Sequence, residues 1–258
     1  MQIYLASTPD HLAAASRYTE YFAHVAYSID NEGHLSRQNL LMRVRGGFMV
    51  LSDCGAGTIR DPGQLSCMIA RECANHSYRG VIADFEDTLR QDKVDTVNCL
   101  AQILRQHGRL LLVPECYAAA SPAASVLICT AISGGNINTR LEEARQKYGL
   151  GRIALDLERL RMDFPLPCPS GEGKSLSSAD FRSLIAEQQP SIFFSHELGA
   201  KYFTYAKQGE THFVLFDDGD TLLSKAQKGH RMGIGLGFFM LPEVEDILPK
   251  LYPGKRQN

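Results

Sequence analysis

Short apolar runs separated by helical patterns recur along this chain, and that alternation limits its fold more than any other feature. The runs cover residues 3–6, 22–29, 48–52, 80–85, 110–113, 125–132, 153–157 and 235–241. Each is nearly continuous in apolar side chains, as expected of strands buried on both faces of a parallel sheet. Thr8-Pro9-Asp10 opens a helix through Arg17. Residues 64–76 place Leu65, Met68, Ile69 and Cys73 on one helical face. Residues 93–107 repeat Val94, Val97, Leu100, Ala101 and Leu104 and end at Gly108; residues 139–148 end at Gly149. Residues 179–188, 221–229 and 243–251 also read as helices. Eight strand-then-helix units in 258 residues predict an α/β fold, a single (β/α)8 TIM barrel spanning 1–258 as one domain. An open doubly wound sheet is the alternative. Residues 164–178 read as a Pro/Gly/Ser loop. Residues 202–205 and 212–216 flank Lys207-Gln208-Gly209-Glu210 as a β-hairpin. A small insertion at about 192–216 is therefore expected before the last helix-strand unit.

Composition narrows the function. Twenty-seven basic and 29 acidic residues leave a net charge of −2, without the positive footprint of a nucleic-acid binder. No apolar run approaches the roughly 18 residues that span a membrane; GIGLGFFML at 233–241 fits a buried strand. The opening MQIYLASTPD lacks the basic and apolar regions of a signal peptide and reads as a first strand, so cytoplasmic synthesis is expected. Seven cysteines, odd in number and without a CxxC, read as buried reduced thiols. No metal is expected: Cys73 and His76, with Cys67 nearby, fall short of a zinc ligand set. No cofactor is expected either. Gly-Glu-Gly-Lys-Ser at 171–175 has Cys168 where a phosphate loop needs glycine. The tail Lys255-Arg256 reads as a solvated terminus.

In a barrel, chemistry gathers at the C-terminal ends of the strands. The third strand ends in Asp53. The fourth ends in Asp84 and Glu86, the fifth in Glu115 followed by Tyr117, and the seventh carries Asp156 and Glu158. Strand alternation puts Asp84 and Glu86 on one side, and likewise Asp156 and Glu158. Carboxylates that share a site repel, which raises one pKa and keeps a proton available for general acid catalysis. The structural alternative is that these groups cap the next helix or are held by Arg79 and Arg161.

The segment Tyr78-Arg79-Gly80-Val81-Ile82-Ala83-Asp84-Phe85-Glu86 resembles the strand-four signature DGxDxDxE of glycoside hydrolase family 18, the chitinase-like barrels. Gly80, Asp84 and Glu86 match; Arg79 and Ile82 stand at the two earlier acidic positions. The stretch from His196 through Glu243 is similar to the C-terminal part of the bacterial spore and cell-wall branch of that family. Phe216, Asp217, Asp218 and Lys225 fall on its W-x-D/E-D-x-x-S-x-x-x-K pattern. The resemblance implies a β-linked N-acetylglucosamine-containing glycan, of chitin or peptidoglycan type, as substrate. It implies Glu86 as the acid and Asp84 as the residue orienting a 2-acetamido group that itself attacks the anomeric carbon.

The same comparison marks departures. The family's Tyr-Asp pair after the sixth strand corresponds here to Cys129-Thr130-Ala131-Ile132. Its Trp on the eighth strand corresponds to Met240 or Leu241, and the chain holds no Trp at all. Two substitutes are in reach. Asp156 or Glu158 is one, as a direct nucleophile about 5–5.5 Å from Glu86. The other is Glu115 or Tyr117, taking over substrate positioning. Asp53 and Met240 complete the expected substrate contacts. The alternative function is a lapsed relative that binds glycan or serves as a structural protein on a spore or wall surface. The sequence sets no oligomeric state.

Overall fold

The computed structural model describes residues 1–38, 45–86 and 89–253; the Lys255-Arg256 tail lies outside the described residues. The chain order begins β1 (Gln2–Ser7), α1 (Pro9–Ala15), β2 (Phe22–Ile29), β3 (Leu35–Arg37), β4 (Phe48–Ser52), α2 (Pro62–Asn75) and β5 (Gly80–Asp84). It continues with α3 (Gln91–Gln106), β6 (Leu110–Pro114), β7 (Ser125–Cys129), α4 (Ile137–Tyr148) and β8 (Ile153–Asp156). Then come β9 (Arg161–Leu166), β10 (Lys174–Ser175), α5 (Ser178–Gln188), β11 (Phe193–Ser195), β12 (Ala200–Lys207) and β13 (Glu210–Phe216). The last elements are α6 (Gly219–Arg231), β14 (Leu236–Met240) and α7 (Leu248–Leu251).

Eight strands pair in parallel around a ring, β1-β2-β4-β5-β6-β7-β8-β14, and β14 pairs back to β1. This is the expected (β/α)8 barrel; the open sheet is excluded by that closure. Strand parity builds two cores. Tyr4, Ala23, Phe48, Val50, Ile82, Leu112, Ala154 and Phe238 fill the inside of the ring. Leu5, Met49, Leu51, Val81, Ala83, Val113, Ile128 and Leu155 point outward to the helices. The rings of Tyr4, Phe48 and Phe238 pack edge-on and stacked at 4.9–5.7 Å, so the barrel interior is solid. Gly80 opens β5 because a Cβ there would meet the Leu110 carbonyl oxygen at 2.2 Å; only glycine lets β6 approach.

Two units differ from the alternation. After β2 the chain turns on Asp30, whose Oδ1 accepts the N–H groups of Glu32 and His34 at 2.9 Å. It returns as β3, antiparallel to β2. After β6 the chain makes a 3-10 turn, Glu115–Tyr117, instead of an α-helix. The final helix is shorter than expected: a 3-10 turn, Glu245–Ile247, leads into α7.

The expected hairpin is present as β12 and β13, but it is the centre of a larger unit. Five antiparallel strands in the order β10-β9-β13-β12-β11, together with α5, lie between β8 and α6. Residues 164–178 are therefore not a plain loop. Phe164 and Phe213 pair across β9 and β13 and bury apolar surface that a loop would leave in water. One face of this sheet packs Phe203, Val214 and Phe216 against α5. The other packs Leu160, Phe164, Ala200 and Leu215 together with Ala131.

The cysteine reading holds only in part. Cys73 is buried, whereas Cys54, Cys67 and Cys116 are exposed, because they stand on the solvent sides of their elements. No helix among the described residues is long and apolar enough to cross a membrane.

His24 on β2 faces the helical shell, buried against Tyr78. Burial pushes its pKa down from 6.5 to about 4, against a hydrogen bond with the Gly46 backbone. A depressed histidine pKa means the unfolded chain binds more protons in that window. Its contribution is complete above pH 6.5 and lost as pH falls through about 4. Thermal melts of the wild type should therefore lose stability between pH 6.5 and 4, and His24→Gln should flatten that slope.

Candidate active site

The inward rows of the barrel run upward from the core into polar residues. Asp84 stands two residues beyond Ile82 on β5, and Asp156 stands two beyond Ala154 on β8, so both continue an inward row. They meet at a cavity of about 260 Å³, lined by Asp84, Glu86, Asp156, Glu158, Phe238 and Met240 among others. A wider open cleft of about 570 Å³ lies beside Arg161, Phe181 and Glu243. That cleft mixes acids with Arg159, Arg161 and Arg182, whereas the lining of the barrel mouth has four carboxylates and no basic residue.

Among the described residues, none that lines this cavity is basic. Asp84 is open to water at the mouth. Burial by the surrounding wall, then Glu86, Asp53 and Glu158, raise its pKa to about 6. Asp156 sits deeper; burial first, then Glu158 and Asp84, raise it to about 7. Cys129, at the end of β7, is pushed up to about 12 by burial and by the same two acids of β8. Its Sγ–H donates to Glu158 Oε2 at 3.4 Å. The arginines weighed as holders of these groups are engaged elsewhere. Arg79 donates to the Tyr4 hydroxyl at 2.5 Å, and Arg161 pairs with Glu243. Nor do Asp84 and Glu86 cap α3, whose N-cap is Arg90.

The fold thus brings together Asp84, Glu86, Asp156, Glu158 and Met240. It separates the other three expected contacts. Asp53 is 1% exposed and forms an ion pair with the wholly buried Lys93. It cannot touch substrate, and its role is internal: Oδ1 accepts the Glu86 backbone N–H at 3.0 Å. Tyr117 is 0% exposed. The 3-10 turn after β6 folds its ring into the core, edge-on to Phe85 at 5.5 Å. Glu115 faces α4, where Arg140 and the Tyr148 hydroxyl bind it. Burial works against its charge, but Arg140 wins and holds the carboxyl below its usual range.

Two participants escaped the sequence reading. Lys93 occupies the first turn of α3 on the same face as Val97 and Leu100. A lysine on an apolar helical stripe is the signal that could have exposed it. Cys129 was legible only as a missing aromatic, because its acidic neighbours lie on a different strand.

With this geometry in view, solved structures supply the comparison. A chitinase from Chromobacterium violaceum matches with a TM-score of 0.70 at 15% identity, covering 99% of each chain. The spore cortex-lytic enzyme SleL of Bacillus cereus matches at 0.68 and 17%, covering 99% of this chain and 75% of that one. A GH18 chitinase from Cycas revoluta, solved in complex with (GlcNAc)4, matches at 0.63 and 12%, covering 99% of each. No family model matches the chain, and no curated protein does. At these identities the likeness is one of fold: the chain shares a (β/α)8 barrel with chitinases and spore cortex-lytic enzymes.

Two outcomes test the site. Lys93→Met strips the buried Asp53 carboxylate of its cation. Denaturant unfolding should show a loss of about 3–5 kcal/mol, the usual cost of leaving one buried charge unpaired. Asp84 has a folded pKa above its unfolded value, so its contribution is complete below about pH 3.8 and lost as pH rises through about 6. Asp84→Asn should gain in melting temperature relative to wild type between pH 4 and pH 7.

Proposed function

We propose that this chain is a glycoside hydrolase-like protein of the chitinase-like family. Its substrate is a β-linked N-acetylglucosamine-containing glycan of chitin or peptidoglycan type. Glu86 is the general acid, and Asp84 assists it. The carrying observation is the Asp84-Phe85-Glu86 segment at the mouth of a barrel that matches chitinases and SleL. Asp53 and Lys93 support the reading, because they fix the backbone of the residue assigned as the acid. The raised pKa of Asp84 also supports it: a carboxyl that holds its proton up to about pH 6 can, in that form, donate a hydrogen bond to Glu86 or to a substrate amide. The glycan is the partner, and the chain acts as one domain over 1–258. Spore or cell-wall association is part of the proposal and follows the SleL likeness.

A second reading has its own observation. The end of β7 offers the cavity Cys129, where the resemblance expects a Tyr-Asp pair. Thr130 is buried, with its hydroxyl on the Asp156 backbone carbonyl at 3.1 Å. Met240 stands where a tryptophan floor is expected. A barrel that has lost these contacts can still bind glycan as a recognition module without turning it over.

One assay separates the two. Reducing-end-labelled N-acetylglucosamine oligomers and muropeptides are incubated with wild type and Glu86→Gln. The expected result is hydrolysis by wild type that falls about 10²–10⁴-fold in the variant, the usual worth of a general acid. Absence of turnover in wild type, with oligomer binding retained by both proteins, would establish the recognition module instead.

A further inference from the structure

Two and three strands round the ring from β5, the ends of β7 and β8 bring a thiol and two carboxylates to one point. Cys129 Sγ, an Asp156 oxygen and a Glu158 oxygen all lie within 4.8 Å of one another. Three features set this group apart from an ordinary acidic surface. First, the donors differ in kind. A thiolate beside two carboxylates matches the mixed sulfur and oxygen preference of a borderline-soft divalent ion. Second, Asp156 is half-buried at the end of β8 and reaches the cavity. No hydrogen-bond donor or cation meets its carboxyl among the described residues. Third, the nearby cations are committed elsewhere: Arg140 to Glu115, Arg159 to Asp246, Arg161 to Glu243 and Lys93 to Asp53.

We infer that Cys129, Asp156 and Glu158 form a binding site for a single Zn2+-class divalent cation at the barrel mouth. Its open coordination position faces the cavity. A tetrahedral zinc, with Zn–S about 2.3 Å and Zn–O about 2.0–2.2 Å, needs its donors about 3.4–3.7 Å apart. The present group lies within 4.8 Å, about 1 Å wider than that, and Glu158 is exposed, so its side chain has room to turn. Binding is a simple exchange. The Zn–S bond forms as the thiol proton leaves to solvent, the carboxylates coordinate in their ionised form, and nothing is oxidised or reduced. A water or a ligand oxygen in the cavity completes the coordination. Backbone support is already present: Ala131 N–H donates to Cys129 Sγ at 3.4 Å, and the Thr130 N–H and hydroxyl both bind the Asp156 carbonyl. These bonds tie the two strand ends together.

The site is independent of the glycan reading, and its test does not use turnover. The full chain, reduced and freed of metal, is titrated with Zn2+ against a chromophoric chelator. Co2+ loading then reports sulfur ligation through its thiolate-to-cobalt charge-transfer band. Wild type should take up one Zn2+ per chain, and its Co2+ form should show that band. Cys129→Ser should lose the band, and Asp156→Asn should bind Zn2+ about 100-fold more weakly or worse, since even supporting residues of metal sites cost 10–100-fold. Asp156→Asn removes a repelled charge and should fold at least as well as wild type, which thermal melting verifies. Glu86→Gln should keep the wild-type zinc affinity, so failure of the acid assignment and failure of this one are read separately. The inference is overturned by absence of stoichiometric Zn2+ uptake in folded wild type. It is equally overturned by a charge-transfer band that survives Cys129→Ser, or by an affinity that Asp156→Asn leaves unchanged.

Discussion

The buried ion pair between Asp53 and Lys93 is the contact on which the barrel mouth depends. Both side chains are taken almost wholly out of water, which is costly unless each finds a partner and further hydrogen bonds. Asp53 meets that condition by accepting a second hydrogen bond, from the Glu86 backbone. Three elements are joined as a result: the end of β4, the segment after β5 and the first turn of α3. Asp84 and Glu86 owe their common orientation to this junction as much as to strand alternation. The carboxylate that fixes the site is therefore not a carboxylate that can meet a ligand.

A second buried pair does the corresponding work beside the end of β8. Asp217 accepts from Lys225 at 2.7 Å, from the Thr221 hydroxyl at 2.8 Å and from the Leu160 backbone at 3.2 Å. Asp218 caps α6 with a reciprocal capping box. The Asp-Asp…Lys pattern at the end of the insertion is thus a clamp. It fixes where β13 leaves the five-stranded sheet and where α6 returns to the barrel. It touches the seventh strand's exit at Leu160, close behind Asp156 and Glu158. The two clamps hold the two acidic walls of one cavity.

Between those walls lies an excess of negative charge in a partly enclosed space. Burial, and after it repulsion between neighbouring carboxylates, keeps protons on Asp84 and Asp156 at pH values where free carboxylates have lost them. A cavity of this kind gains from anything that brings positive charge or hydrogen-bond donors into it. A glycan hydroxyl or amide supplies donors, and a divalent ion supplies charge. The two uses occupy neighbouring regions, with Glu86 on one wall and Cys129 on the other.

Much of this was legible in the residues themselves. The apolar runs fixed eight ring strands, and alternation along two of them put Asp84 with Glu86 and Asp156 with Glu158, because a pleated strand has a strict period of two. The likeness of residues 78–86 to a known signature pointed to the same carboxylates. Other features lay beyond any local rule. Asp53, Glu115 and Tyr117 have the same standing in the sequence as Asp84, since all follow strand ends. Only the tertiary structure turned Asp53 toward Lys93, Glu115 toward Arg140 and Tyr117 into the core. The partner of each comes from an element more than twenty residues away, or from a 3-10 turn whose direction the flanking packing decides. Of the five-stranded insertion only the central hairpin was legible; its full extent was hidden, because antiparallel pairing of β9 with β13 joins segments that share no local pattern. The sequence by itself determined the barrel and its inward carboxylates through side-chain period. The tertiary structure decided which of those charges meet the cavity, because burial and ion pairing depend on what the rest of the chain brings alongside.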